Sequence, residues 1–354
     1  MNHVDPYFHF DCRNRAPLTR ERLIDKHGRT ITDLRVSITD RCNYRCVYCR
    51  TGNQGAVYSE LSIAEYLRIV RVFVELGIQK VRLTGGEPLL HKGLLELVHE
   101  LRRLRTPFET GSGQPLDLSL TTNGHLLADL AQPLRDAGLN RVTVSMDAVA
   151  PDTFARITRV PGSFDRVVAG VRAAKQAGFD QIKVNCVLLR GFNDDQIVPF
   201  AKFSREEDVI VRFIEFMPLE EGRLWSPDTV LRLKEVKARL EAFRPLVKLP
   251  PNAANETAIR YTFDDGIGEI GIIAPVSQAF CGHCSRVRLT SDGKIRTCLF
   301  SQSDHDLYGV IQRGGSDAEM AAFIERTIQQ KEARHHIGEP AFRKPSRSMV
   351  HIGG

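Results

Sequence analysis

The chain has 354 residues, more than a usual single domain, and its 42% hydrophobic and 26% charged residues are those of an ordinary globular protein of one large and one smaller unit. No window reaches the roughly 18 to 20 apolar residues of a membrane span, and Met1 to Arg20 has no apolar signal core, so a cytoplasmic location is expected. A formal net charge of +6 favours an anionic ligand but is too mild for a dedicated nucleic-acid binder. Six of the eight cysteines fall in two triplets, leaving Cys12 and Cys186 alone; in a reducing compartment that bunching argues for metal rather than disulfides.

Residues 1–32 read as a polar lead-in of loop and short helix. From Asp33 short β-branched runs predict strands at Leu34–Thr39, Lys80–Thr84, Leu116–Thr122, Arg141–Asp147, Gln181–Leu188 and Val209–Phe216. Amphipathic stretches between them predict helices at Ile63–Leu76, Leu94–Leu104, His125–Ala137, Phe164–Ala177 and Asp194–Phe203, with Gly77, Gly138 and Gly178 suited to left-handed C-caps. Strand and helix alternating six times over imply a parallel sheet with right-handed crossovers. Six units are two short of a closed barrel. The expected fold is therefore α/β, a partial (β/α)6 TIM-like barrel over residues 33–225, with a doubly wound sheet as the alternative. A smaller C-terminal α+β domain is expected over 226–354.

Parallel α/β folds collect ligands at the carboxyl ends of their strands, and the distinctive residues sit there. Cys42, Cys46 and Cys49 follow the first strand, Gly85-Gly86-Glu87-Pro88 the second, and Thr121-Thr122-Asn123-Gly124 close the third. Ser145 and Asp147 end the fourth, Lys183 and Asn185 lie in the fifth, and Glu215-Phe216-Met217-Pro218 end the sixth. Thiolates are soft donors for zinc, copper(I) or iron–sulfur clusters, and a closed zinc site wants four ligands. Three thiols leave one metal open to something else. The glycine pair beside them is expected to let a bulky ligand approach the backbone.

Beyond Pro218 the rhythm changes. Trp225 leads into a polar helix, Asp228 to Phe243, then a Pro/Asn-rich loop, Leu249 to Glu256, short strands at Arg260–Phe263, Glu269–Ile273 and Arg286–Thr290, and closing helices near Ser316–Glu332. Here lies the second triplet, Cys281, Cys284 and Cys298. By itself it reads equally well as a structural zinc knuckle with His283 or His305 as fourth ligand.

The Cys-x3-Cys-x2-Cys loop followed one strand later by Gly-Gly-Glu-Pro resembles the radical S-adenosylmethionine enzymes. Within them the stretch Asp33 to Cys46 resembles the GTP 3',8-cyclases, the molybdenum cofactor biosynthesis protein A family, and the likeness runs from about Leu23 to Gly354; Arg50-Thr51 depart from the family's usual Met-Pro. The resemblance implies two [4Fe–4S] clusters, on Cys42, Cys46 and Cys49 and on Cys281, Cys284 and Cys298, each with one open iron. S-adenosyl-L-methionine would chelate the first and meet Tyr48, Gly86, Ser145 and Met217; guanine would bind the second. The GTP contacts it implies are Arg35, Arg82, Thr121, Lys183, Arg286, Val287 and Arg288, arginine suiting phosphate through its planar fork. No Gly-x4-Gly-Lys-Ser/Thr loop is present, so GTP would be rearranged and not hydrolysed.

The resemblance implies that one electron cleaves the sulfonium to methionine and a 5'-deoxyadenosyl radical, which takes the ribose 3' hydrogen; C3' then attacks C8 of guanine, and reduction of the cyclised radical completes the product. Gly353 and Gly354 resemble a catalytic Gly-Gly tail that enters the site. The partners implied are GTP, an electron donor such as flavodoxin or ferredoxin, and a downstream cyclic pyranopterin monophosphate synthase; a homodimer is among the arrangements allowed, and neither nucleic acid nor membrane is expected.

Overall fold

Each apolar run from Asp33 onward becomes a strand whose alternate side chains face helices on one side and an interior cavity on the other. The computed structural model describes residues 22–49, 56–107 and 113–353. Cys12, Arg50, Thr51 and Gly354 lie outside the described residues. The first half runs β1 (Asp33–Ser37), α1 (Ile63–Glu75), β2 (Lys80–Thr84), α2 (Leu94–Arg102), a small hairpin of β3 (Arg105–Thr106) and β4 (Gln114–Pro115), β5 (Asp117–Thr122), α3 (Leu127–Asp136) and β6 (Arg141–Ser145). Then come α4 (Pro151–Thr158), α5 (Phe164–Gln176), β7 (Lys183–Leu188), α6 (Ile197–Glu206), β8 (Ile210–Glu215) and α7 (Leu233–Phe243). The last third holds β9 (Leu246–Lys248), β10 (Ile259–Phe263), β11 (Glu269–Ile273), β12 (Arg286–Leu289), β13 (Lys294–Arg296), β14 (His305–Asp306), α8 (Tyr308–Gln312), α9 (Asp317–Ile328) and α10 (Met349–Ile352).

Period-two patterning explains the layering. In β1, Leu34 and Val36 are buried in the core, while Arg35 points into the cavity. Helix α1 begins at a capping box, Ser62 with Glu65, and buries Tyr66, Ile69, Val70 and Phe73. Gly77, Gly138 and Gly178 follow α1, α3 and α5 at φ of +105°, +100° and +80°, the left-handed turns expected of them. Among the described residues no helix is long and apolar enough to cross a membrane.

The six expected strands, β1, β2, β5, β6, β7 and β8, lie side by side and parallel, the partial barrel anticipated. Strands from beyond residue 225 then join both margins of the same sheet. β11 pairs parallel with β8 and β12 parallel with β1, and β10–β9 and β13–β14 continue outward antiparallel. An open barrel leaves two rows of unpaired backbone groups at its edges; the C-terminal strands satisfy both. The same pairing carries the second triplet, which flanks β12 and β13, round to face the first.

Candidate active site

The first cysteine loop is held mainly by backbone. Gly86 N–H donates to Thr39 O at 2.8 Å and Glu87 N–H to Arg41 O at 2.7 Å. A methyl group on Gly85 would collide with the Thr39 carbonyl, and one on Gly86 with the Arg41 carbonyl. The glycine pair is thus required first by close approach of the protein's own chain entering the cysteine loop, and only the second part of the expectation, that Gly86 borders a ligand cavity, concerns a ligand. On the far side, Arg45 and Val47 N–H donate to Thr158 and Ile157 O at the end of α4, at 3.1 and 3.0 Å. That helix, absent from the sequence reading, is what fastens the loop.

Two buried carboxyls flank this triplet. Tyr48 O–H donates to Asp147 Oδ2 at 2.6 Å, and Val187 N–H to Asp147 Oδ1 at 2.8 Å. Burial pushes Asp147 up to about 6 against those two hydrogen bonds. Glu87 accepts from Asn123 N–H, Thr122 O–H and Leu89 N–H at 2.7, 2.7 and 2.9 Å, yet burial pushes it up to about 7. Burial and then the Asp147 carboxylate hold the Cys46 thiol well above its ordinary range.

The second triplet sits among cations. Cys281 to His283 form a tight turn, with Cys284 N–H donating to Cys281 O at 3.2 Å before the chain enters β12. Burial raises the Cys284 thiol, but Arg286 and Lys331 more than offset it and bring it down to about 7. Arg29, paired with Asp25 at 2.6 Å, donates to the carbonyl of Cys281 at 2.9 Å.

Both triplets open on one cavity of about 560 Å³ running the length of the barrel. Strand register fills the space between them with positive charge: Arg288, Arg35 and Arg82 stand opposite one another on β12, β1 and β2. Like charges so placed are destabilising unless something anionic answers them. Burial, then Arg286 and Arg82, lowers Arg35 to about 9; burial, then Arg212 and Arg141, lowers Arg82 to about 9 and Lys183 to about 8. Arg82 donates to Thr121 Oγ1 and Thr143 Oγ1, each at 3.1 Å, and Arg212 to Asn185 Oδ1 at 2.9 Å.

Of the residues anticipated, the six cysteines, Tyr48, Gly86, Ser145, Met217, Arg35, Arg82, Thr121, Lys183, Arg286 and Arg288 all border this cavity. Val287 is not among the residues bordering the cavity: period two turns its side chain into the core, fully buried. Glu215, placed at the rim by sequence, is a structural tie that accepts from Leu233, Val276 and Ser277 N–H at 2.8 to 2.9 Å. The C-terminal tail is anchored. Arg288 Nη1 donates to Ile352 O at 3.1 Å and to Gly353 O, Met349 and Val350 border the cavity, and Gly353 packs on Thr84 and Ser37. Arg212, Arg141 and Asp147 also line the cavity; the two arginines were not singled out from the sequence, although period two on β6 and β8 places them on the inward face.

All six cysteines keep their thiols. Among the described residues no three His, Cys, Asp or Glu side chains converge tightly enough for one metal ion, so the zinc knuckle with His283 or His305 has no assembled ligand set. Thiolates serving a cubane sit on separate irons and stand wider apart than ligands of a single ion. Two sets of three soft donors, each facing the cavity, suit two iron–sulfur clusters.

Comparison with known proteins agrees. Residues 36–204 match the model of the radical SAM superfamily, and residues 209–337 that of molybdenum cofactor synthesis C. A GTP 3',8-cyclase of Syntrophomonas wolfei is 39% identical over 335 residues, covering 94% of this chain and 100% of the relative. One from Rhodopirellula baltica is 41% identical over 341 residues, covering 94% and 92%. Among solved structures, Streptococcus suis SuiB bound to S-adenosylmethionine shares the fold, with a TM-score of 0.58 at 13% identity over 85% of this chain and 69% of that one.

Proposed function

Since this chain belongs to the GTP 3',8-cyclases of the radical SAM superfamily, we propose that its two thiol triplets and the cation row between them form one cyclase site. The protein is a radical S-adenosylmethionine lyase that converts GTP to (8S)-3',8-cyclo-7,8-dihydroguanosine 5'-triphosphate, the first step of molybdenum cofactor biosynthesis. The observation that carries the site assignment is the single cavity bordered by Cys42, Cys46 and Cys49 at one place and by Cys281, Cys284 and Cys298 at another, with register-aligned arginines between.

In this reading Cys42, Cys46 and Cys49 would hold one [4Fe–4S] cluster and Cys281, Cys284 and Cys298 another, and the first, with S-adenosylmethionine bound, would supply the radical chemistry. The chain's own residues do the rest. Tyr48, Gly86, Ser145 and Met217 line the cofactor side, with Tyr48 held in place by Asp147. Arg35, Arg82, Lys183 and Arg286 bind the triphosphate, and Thr121 orients Arg82. Arg288, expected to contact GTP and bordering the cavity, is given a further role: it holds the Gly353 tail against β1 and β2. A catalytic role is assigned to the Gly353-Gly354 tail, of which Gly353 packs on Thr84 and Ser37. Fixing both reactants in one cavity supplies proximity, which is worth several kcal/mol of a barrier.

A barrel of 33–225 followed by a C-terminal unit of 226–354 keeps all six parallel strands together, whereas the two family matches divide earlier, between residues 204 and 209, ahead of β8. A one-electron donor of the flavodoxin or ferredoxin kind, hand-over of the product to a cyclic pyranopterin monophosphate synthase, and work in the cytoplasm complete the proposal. The test is anaerobic reduction with GTP and S-adenosylmethionine followed by identification of the product. Cyclised nucleotide and about eight irons per chain are expected; zinc without iron, or unchanged GTP in iron-loaded protein, would overturn it.

A further inference from the structure

Beyond α9 the chain turns back under the second triplet and presents Lys331, which the reaction leaves without a role. Only 2% of it is exposed. Its Nζ donates to Arg286 O at 2.8 Å and to Thr297 O. Those carbonyls lie two residues after Cys284 and immediately before Cys298. One ammonium therefore ties the start of β12 to the end of β13, the two segments that carry these thiols.

The lysine's own backbone neighbourhood is clamped as well. Arg29 donates to the carbonyls of Glu332 at 2.7 Å, Ala333 at 2.9 Å and Cys281 at 2.9 Å. Thr297 Oγ1 donates to Glu332 Oε2 at 2.7 Å, which holds the nearby carboxylate on the hydroxyl. Arg29 is matched by Asp25, whereas the hydrogen bonds of Lys331 go to neutral carbonyls; the Glu332 carboxylate opposes its charge at Cys298, but at Cys284 Lys331 acts together with Arg286. Burying an ammonium for two carbonyls alone is a costly way to join two strands. The arrangement makes sense when the charge itself is used.

We propose that Lys331 is a positioning residue of the second iron–sulfur cluster: it fixes the separation of Cys284 from Cys298 and places a permanent positive charge beside the cluster they hold. Adding an electron makes a cluster more negative, so a fixed cation beside it favours the reduced state and raises its potential. The proposal rests on the reading that the second triplet carries a cluster.

The experiment compares the full chain with Lys331→Met and Lys331→Arg, purified anaerobically, by iron content and by dithionite titration followed by electron paramagnetic resonance. The first cluster is recognised by the response of its signal to S-adenosylmethionine, and circular dichroism checks that each variant is folded. In Lys331→Met the second-cluster signal is expected to move to a more negative midpoint, or to vanish with loss of about half the iron, while the first cluster is unchanged; Lys331→Arg restores it. An unchanged second-cluster midpoint at full iron content overturns the proposal, as does equal loss of both clusters, which would make Lys331 a general core residue. Wild-type protein with about four irons would instead sink the reading of the second triplet itself.

Discussion

The two cysteine triplets face one cavity from different electrical surroundings. The first lies beside buried acids, Asp147 at about 6 and Glu87 at about 7, and Cys46 is pushed up. The second lies among Arg286, Lys331 and Glu332: Cys284 is brought down to about 7, while burial and then Glu332 push Cys298 up. Construction differs in the same way. The first loop is pinned by backbone contacts that leave Gly86 no room for a methyl group, whereas nothing lies within 4 Å of where one would sit on Gly282. An acidic, backbone-built seat suits a cofactor that brings its own sulfonium charge; a more cationic, side-chain-built one suits a substrate that brings phosphates.

The harshest test of that division removes each triplet in turn. Replacing Cys42, Cys46 and Cys49 by alanine is expected to abolish product while leaving about half the iron, and replacing Cys281, Cys284 and Cys298 to do the same with the other half. Loss of all iron from either variant would mean that the two seats fold as one unit. Next in size is the glycine pair. Gly86→Ala must displace the Arg41 backbone, an overpacking strain of about 1–3 kcal/mol located at the first cluster's loop. Reduced iron at the first site and a lowered melting temperature are expected, whereas Gly282→Ala leaves both measurements unchanged. Equal effects would erase the contrast between the loops.

Why one seat was easier to read than the other follows from where its parts lie in the chain. The first triplet, its strand and the Gly-Gly-Glu-Pro turn fall within adjacent strand–helix units, and period two and the glycine caps located those units to within a few residues. Helix α4 was not legible, because eight residues between β6 and α5 give too short a period, although Pro151 at its start is a usable signal. The second seat depends on β12 pairing with β1 and β11 with β8, contacts between residues some 60 to 250 positions apart that no local pattern encodes. Register then decided the fate of individual side chains: it aligned Arg288 with Arg35 and Arg82, turned Val287 into the core, and gave Arg212 and Arg141 a cavity to face.

Arg288 sharpens the contrast further, because it stands in the cationic region yet its Nη1 donates to the protein's own tail. Truncation by Arg288→Met leaves the Ile352 and Gly353 carbonyls without their donor, and hydrogen bonds to a charged group contribute about 1.5–3 kcal/mol. Turnover is expected to fall about tenfold or more with both clusters retained and GTP affinity little changed. A large loss of GTP affinity would return Arg288 to direct substrate binding, as the sequence had suggested.

The mildest test asks how far the cationic surroundings reach. Lys183, on β7 in the middle of the cavity, is lowered to about 8 by burial, then by Arg212 and Arg141. Its folded value lies below its unfolded one, so the unfolded chain binds more protons between about pH 8 and its ordinary value near 10.4, and ligand-free stability gains from this group as pH rises through that window. Phosphate reverses the sign, since an anion beside Lys183 holds the proton on. Inorganic tripolyphosphate should therefore raise the melting temperature, take up protons on binding near pH 8, and bind progressively less well above it. Calorimetry in buffers of different ionisation enthalpy reads the uptake directly, and Lys183→Met should remove most of it. Uptake that persists undiminished in that variant would assign the proton to another group, and would confine the cationic region to the immediate neighbourhood of the second triplet.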